Sequence, residues 1–193
     1  MGKNVIALPL TGKELRVPQP RDTDEYISPA VILDPAREVL GGAFDLDPAS
    51  SYEANQYVQA DQFFSVADDG LTKDWCAERL WLNPPFSWPL VQLFVDKLLL
   101  EYAEGRTRAG VCLTNSSTSA NWYQWLLERA EAFCILEKRL QFRKPLHQRE
   151  EDRRNGKKKT GNQYAQTVWY LGPQAERFAE VFDRFGYIQR RAV

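Results

Sequence analysis

The heptapeptide Leu80-Trp81-Leu82-Asn83-Pro84-Pro85-Phe86 constrains this chain more than any other stretch. Three apolar residues bounded by proline read as a short buried strand in the middle of an α/β sheet. Pro84 and Pro85 cannot donate ladder hydrogen bonds, so the strand must end there. Asn83 precedes a proline and is held extended. The product is a stiff loop displaying one amide, prolyl carbonyls and one ring, at the sheet edge where open α/β folds place ligands.

Such a loop suits a flat ring that bears an amine. The Asn83 side-chain oxygen and the Pro84 carbonyl are acceptors that can converge on the two hydrogens of an exocyclic NH2. Phe86 offers a face for a base to stack on, worth roughly 1–3 kcal/mol. Accepting both N–H bonds would draw the nitrogen towards tetrahedral geometry and free its lone pair for attack. The alternative is a proline-rich strand exit with no chemistry. The tetrapeptide Asn83-Pro84-Pro85-Phe86 resembles the catalytic motif of amino-methyltransferases, which move a methyl group from S-adenosylmethionine (SAM) to such a nitrogen. Asn or Asp before the prolines is typical of enzymes acting on adenine N6, and Ser of those acting on cytosine N4.

At 193 residues the chain is long enough for a sizeable core, and its 44% hydrophobic and 26% charged content is ordinary for a globular domain. It has no apolar run of 18 residues, so no membrane span is expected. Met1 to Leu10 carries one Lys and no long apolar centre, which is unlike a secretory signal. Cys76, Cys112 and Cys134 are odd in number and far apart, which points to a reducing cytoplasm. One histidine, His147, and no cysteine pair argue against zinc, so no metal is expected.

Residues 1–21 hold three prolines and no sustained period and read as an irregular arm, with one domain from 22 to 193. Ser28 and Pro29 suit the cap and first turn of a helix over Ala30 to Leu40, with Gly41 as its stop. Pro35 inside it should kink or restart that helix. Phe44 to Asp47 reads as a strand ended by Pro48. The stretch from 50 to 75 shows few clear elements, and Asp68-Asp69-Gly70 reads as a turn. Leu90, Val91, Phe94, Val95, Leu98 and Leu99 mark a helix over Trp88 to Ala103. Beyond it a strand is expected at Val111 to Leu113, a helix over Ala120 to Ala132, and a strand at Phe133 to Leu136, with Leu140-Gln141-Phe142 as an extension. Thr167 to Leu171, Ala175 to Arg184 and Tyr187 to Gln189 close the chain as strand, helix and strand. The alternation predicts an α/β fold with a largely parallel sheet.

Asp45 and Asp47 alternate with apolar residues and so share one side of the strand or turn. An acid at a strand's carboxyl end can meet an ammonium or ribose hydroxyls; the alternative is a pair of solvated or capping acids. Ala49-Ser50-Ser51 stands where a nucleotide-binding loop would carry glycines. Tyr26-x-Ser28-Pro29, Phe44-Asp45-Leu46-Asp47-Pro48-Ala49, Asp61-x-Phe63-Phe64, Asp68-Asp69-Gly70-Leu71 and Trp81 to Phe86 follow one another in order. With Thr118-x-x-x-Trp122 and Lys138-Arg139-Leu140-Gln141-Phe142, they resemble the phage-type DNA N6-adenine methyltransferase (Dam) family over roughly residues 22–172. The resemblance implies a Rossmann-like SAM-dependent methyltransferase with a mixed sheet ending in an antiparallel hairpin, working in the cytoplasm of a phage's host. It implies that Tyr26, Ser28, Pro29, Pro48 and Ala49 line the cofactor pocket. Asp47 or Asp45 would face the methionine amine, Asp61 would meet the ribose or the adenine, and Asn83, Pro84, Pro85 and Phe86 would hold the target base.

The net charge of −1 hides an asymmetry: Arg143 to Thr160 carries eight Lys/Arg against three Asp/Glu, which leaves −6 on the rest. A basic segment on an acidic body suggests a local contact with a polyanion. Arg143, Lys144, Arg149, Arg153, Arg154, Lys157, Lys158 and Lys159, with Arg139 before them, are therefore the candidate contacts to DNA, on a loop inserted at about 143–163. A solvated loop without a partner is the alternative. Other readings of the whole chain are a methyltransferase acting on cytosine N4, RNA or a protein amide, and a DNA-binding module that catalyses nothing.

Overall fold

The computed structural model describes residues 24–156 and 163–191. The expected arm at 1–21 and the candidate contacts Lys157, Lys158 and Lys159 lie outside the described residues. Helix α1 (Ala30–Val39) buries Ile32, Leu33, Ala36 and Val39, and Pro35 sits inside a helix that runs on without restarting. Pro29 rather than Ser28 takes the cap position, and the Ile32 and Leu33 amides donate to its carbonyl at 3.0 and 3.2 Å. Gly41 and Gly42 turn the chain into β1 (Phe44–Asp47) at φ of +82° and +106°, which side chains disfavour.

The stretch without a clear period folds into three short elements, α2 (Tyr52–Val58), β2 (Ala60–Phe63) and a single 3-10 turn at Gly70–Thr72. The Ser51 hydroxyl caps α2 by accepting from the Ala54 amide at 3.1 Å. The Asn55 side chain then brackets the turn into β2, donating to the Ala60 carbonyl and accepting from its amide at 3.1 and 2.9 Å. β3 (Leu80–Leu82), α3 (Leu90–Ala103), β4 (Gly110–Asn115), α4 (Asn121–Arg129) and β5 (Ala132–Leu136) follow within two residues of the expected bounds, save that β4 is longer at both ends and α4 stops three residues earlier. The charged segment, expected as a loop, contains a helix, α5 (Leu146–Arg154). β6 (Gln166–Leu171), α6 (Ala175–Phe182) and β7 (Gly186–Arg190) complete the fold.

Among the described residues seven strands form one sheet in the order β2-β1-β3-β4-β6-β5-β7. β2, β1, β3 and β4 run parallel, while β6 lies antiparallel to β4 and β5, and β7 antiparallel to β5. The result is a Rossmann-like α/β fold with a mixed sheet, five of whose strands point one way. Leu80, Trp81 and Leu82 are fully buried because helices cover both faces. Trp81 joins the core under α1 and α6, and Leu80 and Leu82 join that under α3 and α4. Burial on this scale contributes roughly 1.5–3 kcal/mol per large side chain.

Leu140-Gln141-Phe142 does not extend β5. The buried Gln166 side chain accepts from the Leu140 amide at 3.0 Å, and Arg143 forms an isolated antiparallel bridge with Ile27. A glutamine inside the core thus diverts the chain towards the segment that precedes α1.

Candidate active site

β1, β3 and β4 end on one edge of the sheet, and the loop after β3 rises from its middle. Asn83 Nδ2 donates to the Tyr26 carbonyl at 3.1 Å. Because a carbonyl can only accept, this bond commits the amide's NH2 and turns its oxygen the other way. That oxygen, Oδ1, is buried and has no hydrogen-bond partner among the described residues. A buried acceptor left unmade costs about 1–3 kcal/mol, so an incoming N–H donor would be met favourably. Phe86 is half-buried, edge-on to Phe142 at 5.9 Å, and Phe142 stacks on Tyr26 at 6.0 Å. The Ser87 amide and hydroxyl donate to the two oxygens of Asp24 at 2.9 and 2.7 Å, which fixes the far end of the loop.

Asn83 and Pro85 line a cavity of about 900 Å³, in the range of sites for cofactor-sized ligands. Asp24, Glu25 and Tyr26 form one wall, and Pro48, Ala49, Ser50 and Ser51, leaving β1, form another. Phe64 to Ala67 and Asp69 to Thr72 close a third side, over Leu90 and Phe94 of α3. Gly70 is what lets that third wall meet the second: a Cβ there would lie 2.0 Å from the Pro48 carbonyl oxygen. The Trp75 indole N–H, donating to the Gly70 carbonyl at 2.8 Å, holds the contact from behind.

Of the expected cofactor residues, Tyr26, Pro48 and Ala49 line this cavity; Ser28, Pro29, Asp45, Asp47 and Asp61 are not among its lining residues. Asp45 is held by Arg79, whose amide and Nε donate to it at 2.9 and 2.8 Å and whose Nη2 completes the pair. Asp61 is exposed on the edge strand β2, and the buried Ser28 hydroxyl has no hydrogen-bond partner among the described residues. Asp47 is only 2% exposed, directly behind the wall that starts at Pro48. Burial pushes its carboxyl up to about 7, partly offset by the nearby Ser50 hydroxyl and the Ala49 amide, which donates at 3.2 Å. The Ser50 hydroxyl is itself buried and in no full hydrogen bond among the described residues.

Asp24, Glu25, Asp69, Ser50, Ser51 and Phe64 line the cavity without having been singled out from sequence as cofactor residues. The signal was present in the ordered motifs Asp61-x-Phe63-Phe64 and Asp68-Asp69-Gly70-Leu71, where Asp68-Asp69-Gly70 reads in isolation as a turn. Among the described residues no group of three or more His, Cys, Asp and Glu side chains is placed to hold a metal. None of their helices is long and apolar enough to cross a membrane.

The basic segment divides by environment. Lys144 pairs with Asp152 at 2.6 Å, and Arg149 with Glu53 of α2 at 3.4 Å. Glu53 also accepts from the Leu146 amide at 2.9 Å, so α5 is docked onto α2. The Arg143 guanidinium lies over the Tyr57 ring at 4.9 Å. Arg139, Arg143, Arg153 and Arg154 are exposed.

Comparison with known proteins bears on these features together. The family model for DNA N-6-adenine-methyltransferase (Dam) matches residues 17–176, a span holding both the Asn83 loop and every wall of the cavity. A curated DNA N-6-adenine-methyltransferase of Haemophilus phage HP1 (strain HP1c1) is 28% identical over 115 residues, covering 60% of this chain and 63% of that protein. The chain thus spans somewhat less than two thirds of that relative's length. From the family match over most of its length, the chain belongs to the DNA N-6-adenine-methyltransferase (Dam) family.

Proposed function

We propose that this chain transfers a methyl group from SAM to N6 of adenine in double-stranded DNA. The observation that carries the reading is the Asn83 amide, whose NH2 is tied to Tyr26 and whose buried oxygen lacks a donor among the described residues, on a side chain lining a cavity of about 900 Å³. The residues present fit such a cofactor. Phe64, Leu71 and Phe94 offer apolar surface to a purine, and Asp24 and Asp69 offer acceptors for hydroxyl or amino groups. Asp47, paired with no cation among the described residues and with its carboxyl pushed up to about 7, would be drawn to its ionised form by an ammonium on the far side of Pro48. When bound, SAM supplies an electrophilic methyl group on a sulfonium.

In this reading the target adenine leaves the duplex at a cost of a few kcal/mol. Phe86, braced edge-on by Phe142, stacks on it. Asn83 Oδ1 and the Pro84 carbonyl grip the two amine hydrogens and hold the nitrogen's lone pair towards the cofactor. The proton leaves after the nitrogen has become cationic, so no strong base is needed. Catalysis is then positioning and stabilisation of a developing positive charge by fixed oxygens. The exposed arginines of the 139–154 segment are in a position to meet phosphates. A phage or prophage origin is part of the same reading.

The test is a nucleoside digest of unmethylated plasmid DNA after incubation with the protein and SAM. N6-methyladenine is expected, and Asn83→Ala should lower its formation by about 10²–10³-fold, the scale for removing one preorganised polar contact to a developing charge. N4-methylcytosine in its place, or full activity of the alanine variant, would overturn the assignment.

A further inference from the structure

Trp88 is 75% exposed, yet it lies two residues after Phe86, which is half-buried against Phe142 and is not among the cavity's lining residues, and two before Leu90, which is buried and lines the cavity. Its backbone has little freedom. Ser87 is tied twice to Asp24, and the Pro89 carbonyl already accepts from the Leu93 amide at the start of α3. Folding gives no reason for a large indole to stand in water on a fixed backbone. Of the other exposed aromatics among the described residues, Tyr52 meets Phe63 edge-on at 5.2 Å, Tyr164 leads into β6 with its carbonyl accepting from the Gln166 side chain, and Tyr187 sits on β7, at the far side of the sheet from β3. The Trp88 ring has no aromatic neighbour among the described residues.

An adenine swung out of a duplex leaves a gap, and the base opposite it loses its pairing partner and its stacking. Proteins that distort DNA commonly insert an apolar side chain between base steps, and an indole is flat, rigid and near a base in size. We propose that Trp88 enters the space vacated by the target adenine and stacks on the orphaned thymine, so that it is a positioning residue for base extrusion. This rests on the reading of the chain as a DNA adenine methyltransferase. It makes one rigid loop responsible for both acts, with Asn83 and Phe86 receiving the base and Trp88 keeping it from returning.

The test uses the whole chain and its W88A and W88F variants. After the methylated adenines in plasmid DNA are located, single-turnover methylation is measured on two short duplexes of that site. One is fully paired, and the other has an abasic linker in place of the opposite thymine. W88A is expected to lose roughly tenfold or more on the paired duplex, the scale of one lost base–aromatic stack. On the abasic duplex it should match the unaltered chain, and W88F should recover most of the loss. Melting temperature and SAM affinity should stay unchanged. Equal losses on both duplexes, or none on the paired one, overturn the proposal while leaving the activity assigned. Absence of N6-methyladenine with the unaltered chain overturns the functional reading, and this inference with it.

Discussion

Asp47 is a carboxyl kept in place against its own hydration, and replacing it with asparagine should separate its effect on stability from its effect on binding. Its pKa rises to about 7 in the folded chain, chiefly by desolvation, from an ordinary value near 3.8. The folded state therefore holds this proton over a window, roughly pH 4 to 7, in which the unfolded chain has released it. Stability from this group falls as pH rises through that window, by up to about 4 kcal/mol once both states are ionised. An uncharged amide in its place would carry no such dependence. At pH 8 Asp47→Asn should melt higher, by on the order of 10 °C for a chain of this size, and the gap should shrink towards pH 5. Binding should move the other way. If the ionised carboxylate faces the cofactor's ammonium, wild-type affinity for SAM should weaken roughly 20-fold between pH 7.5 and 5.5 by linkage to that pKa, and the variant should bind weakly at every pH. Calorimetric titration and thermal melts across the range measure both. A variant that melts like wild type at pH 8 refutes the desolvation argument, and one that binds SAM normally refutes the cofactor role.

Three further outcomes follow from the walls and the charges. Gly70→Ala forces a Cβ to within 2.0 Å of the Pro48 carbonyl oxygen, so it should destabilise by about 1–3 kcal/mol as an overpacked contact does and weaken SAM binding; denaturant melts and calorimetry check both, and unchanged affinity would show that the wall tolerates displacement. Arg153→Ala with Arg154→Ala should flatten the slope of log Kd for DNA against log salt by about 2, if each meets one phosphate. Lys144→Ala, by contrast, should mainly loosen α5, since its amine is engaged with Asp152.

How far the residues alone spoke depended on whether burial was local. β3, its diproline stop and the amphipathic α3 were legible because an apolar run or a helical period declares itself within a few residues. α2 and β2 were not: α2 buries only Val58, and β2 is an edge strand with Asp61 and Gln62 in solvent, so neither carries a clean period. α5 buries only Gln148 among nine residues and is held by Glu53 of α2, 93 residues away in the chain. At the site, the acid before Pro48 could be named, but not that Arg79 occupies Asp45 while Asp47 meets no cation among the described residues. Asp69 and Gly70 read as a turn because the close approach to Pro48 exists only in the folded chain.

The bond from Asn83 to Tyr26 also dictates which residue that position tolerates. Tyr26 presents a carbonyl oxygen, so an ionised aspartate at 83 would oppose oxygen to oxygen and repel the segment that steadies it. Asparagine answers both neighbours at once, with hydrogens for the backbone behind and a lone pair left for a guest in front. The choice between the two residues at this corner is thereby made by the segment ahead of α1, fifty-seven positions upstream, and a chimera that exchanged that segment would have to exchange the corner with it.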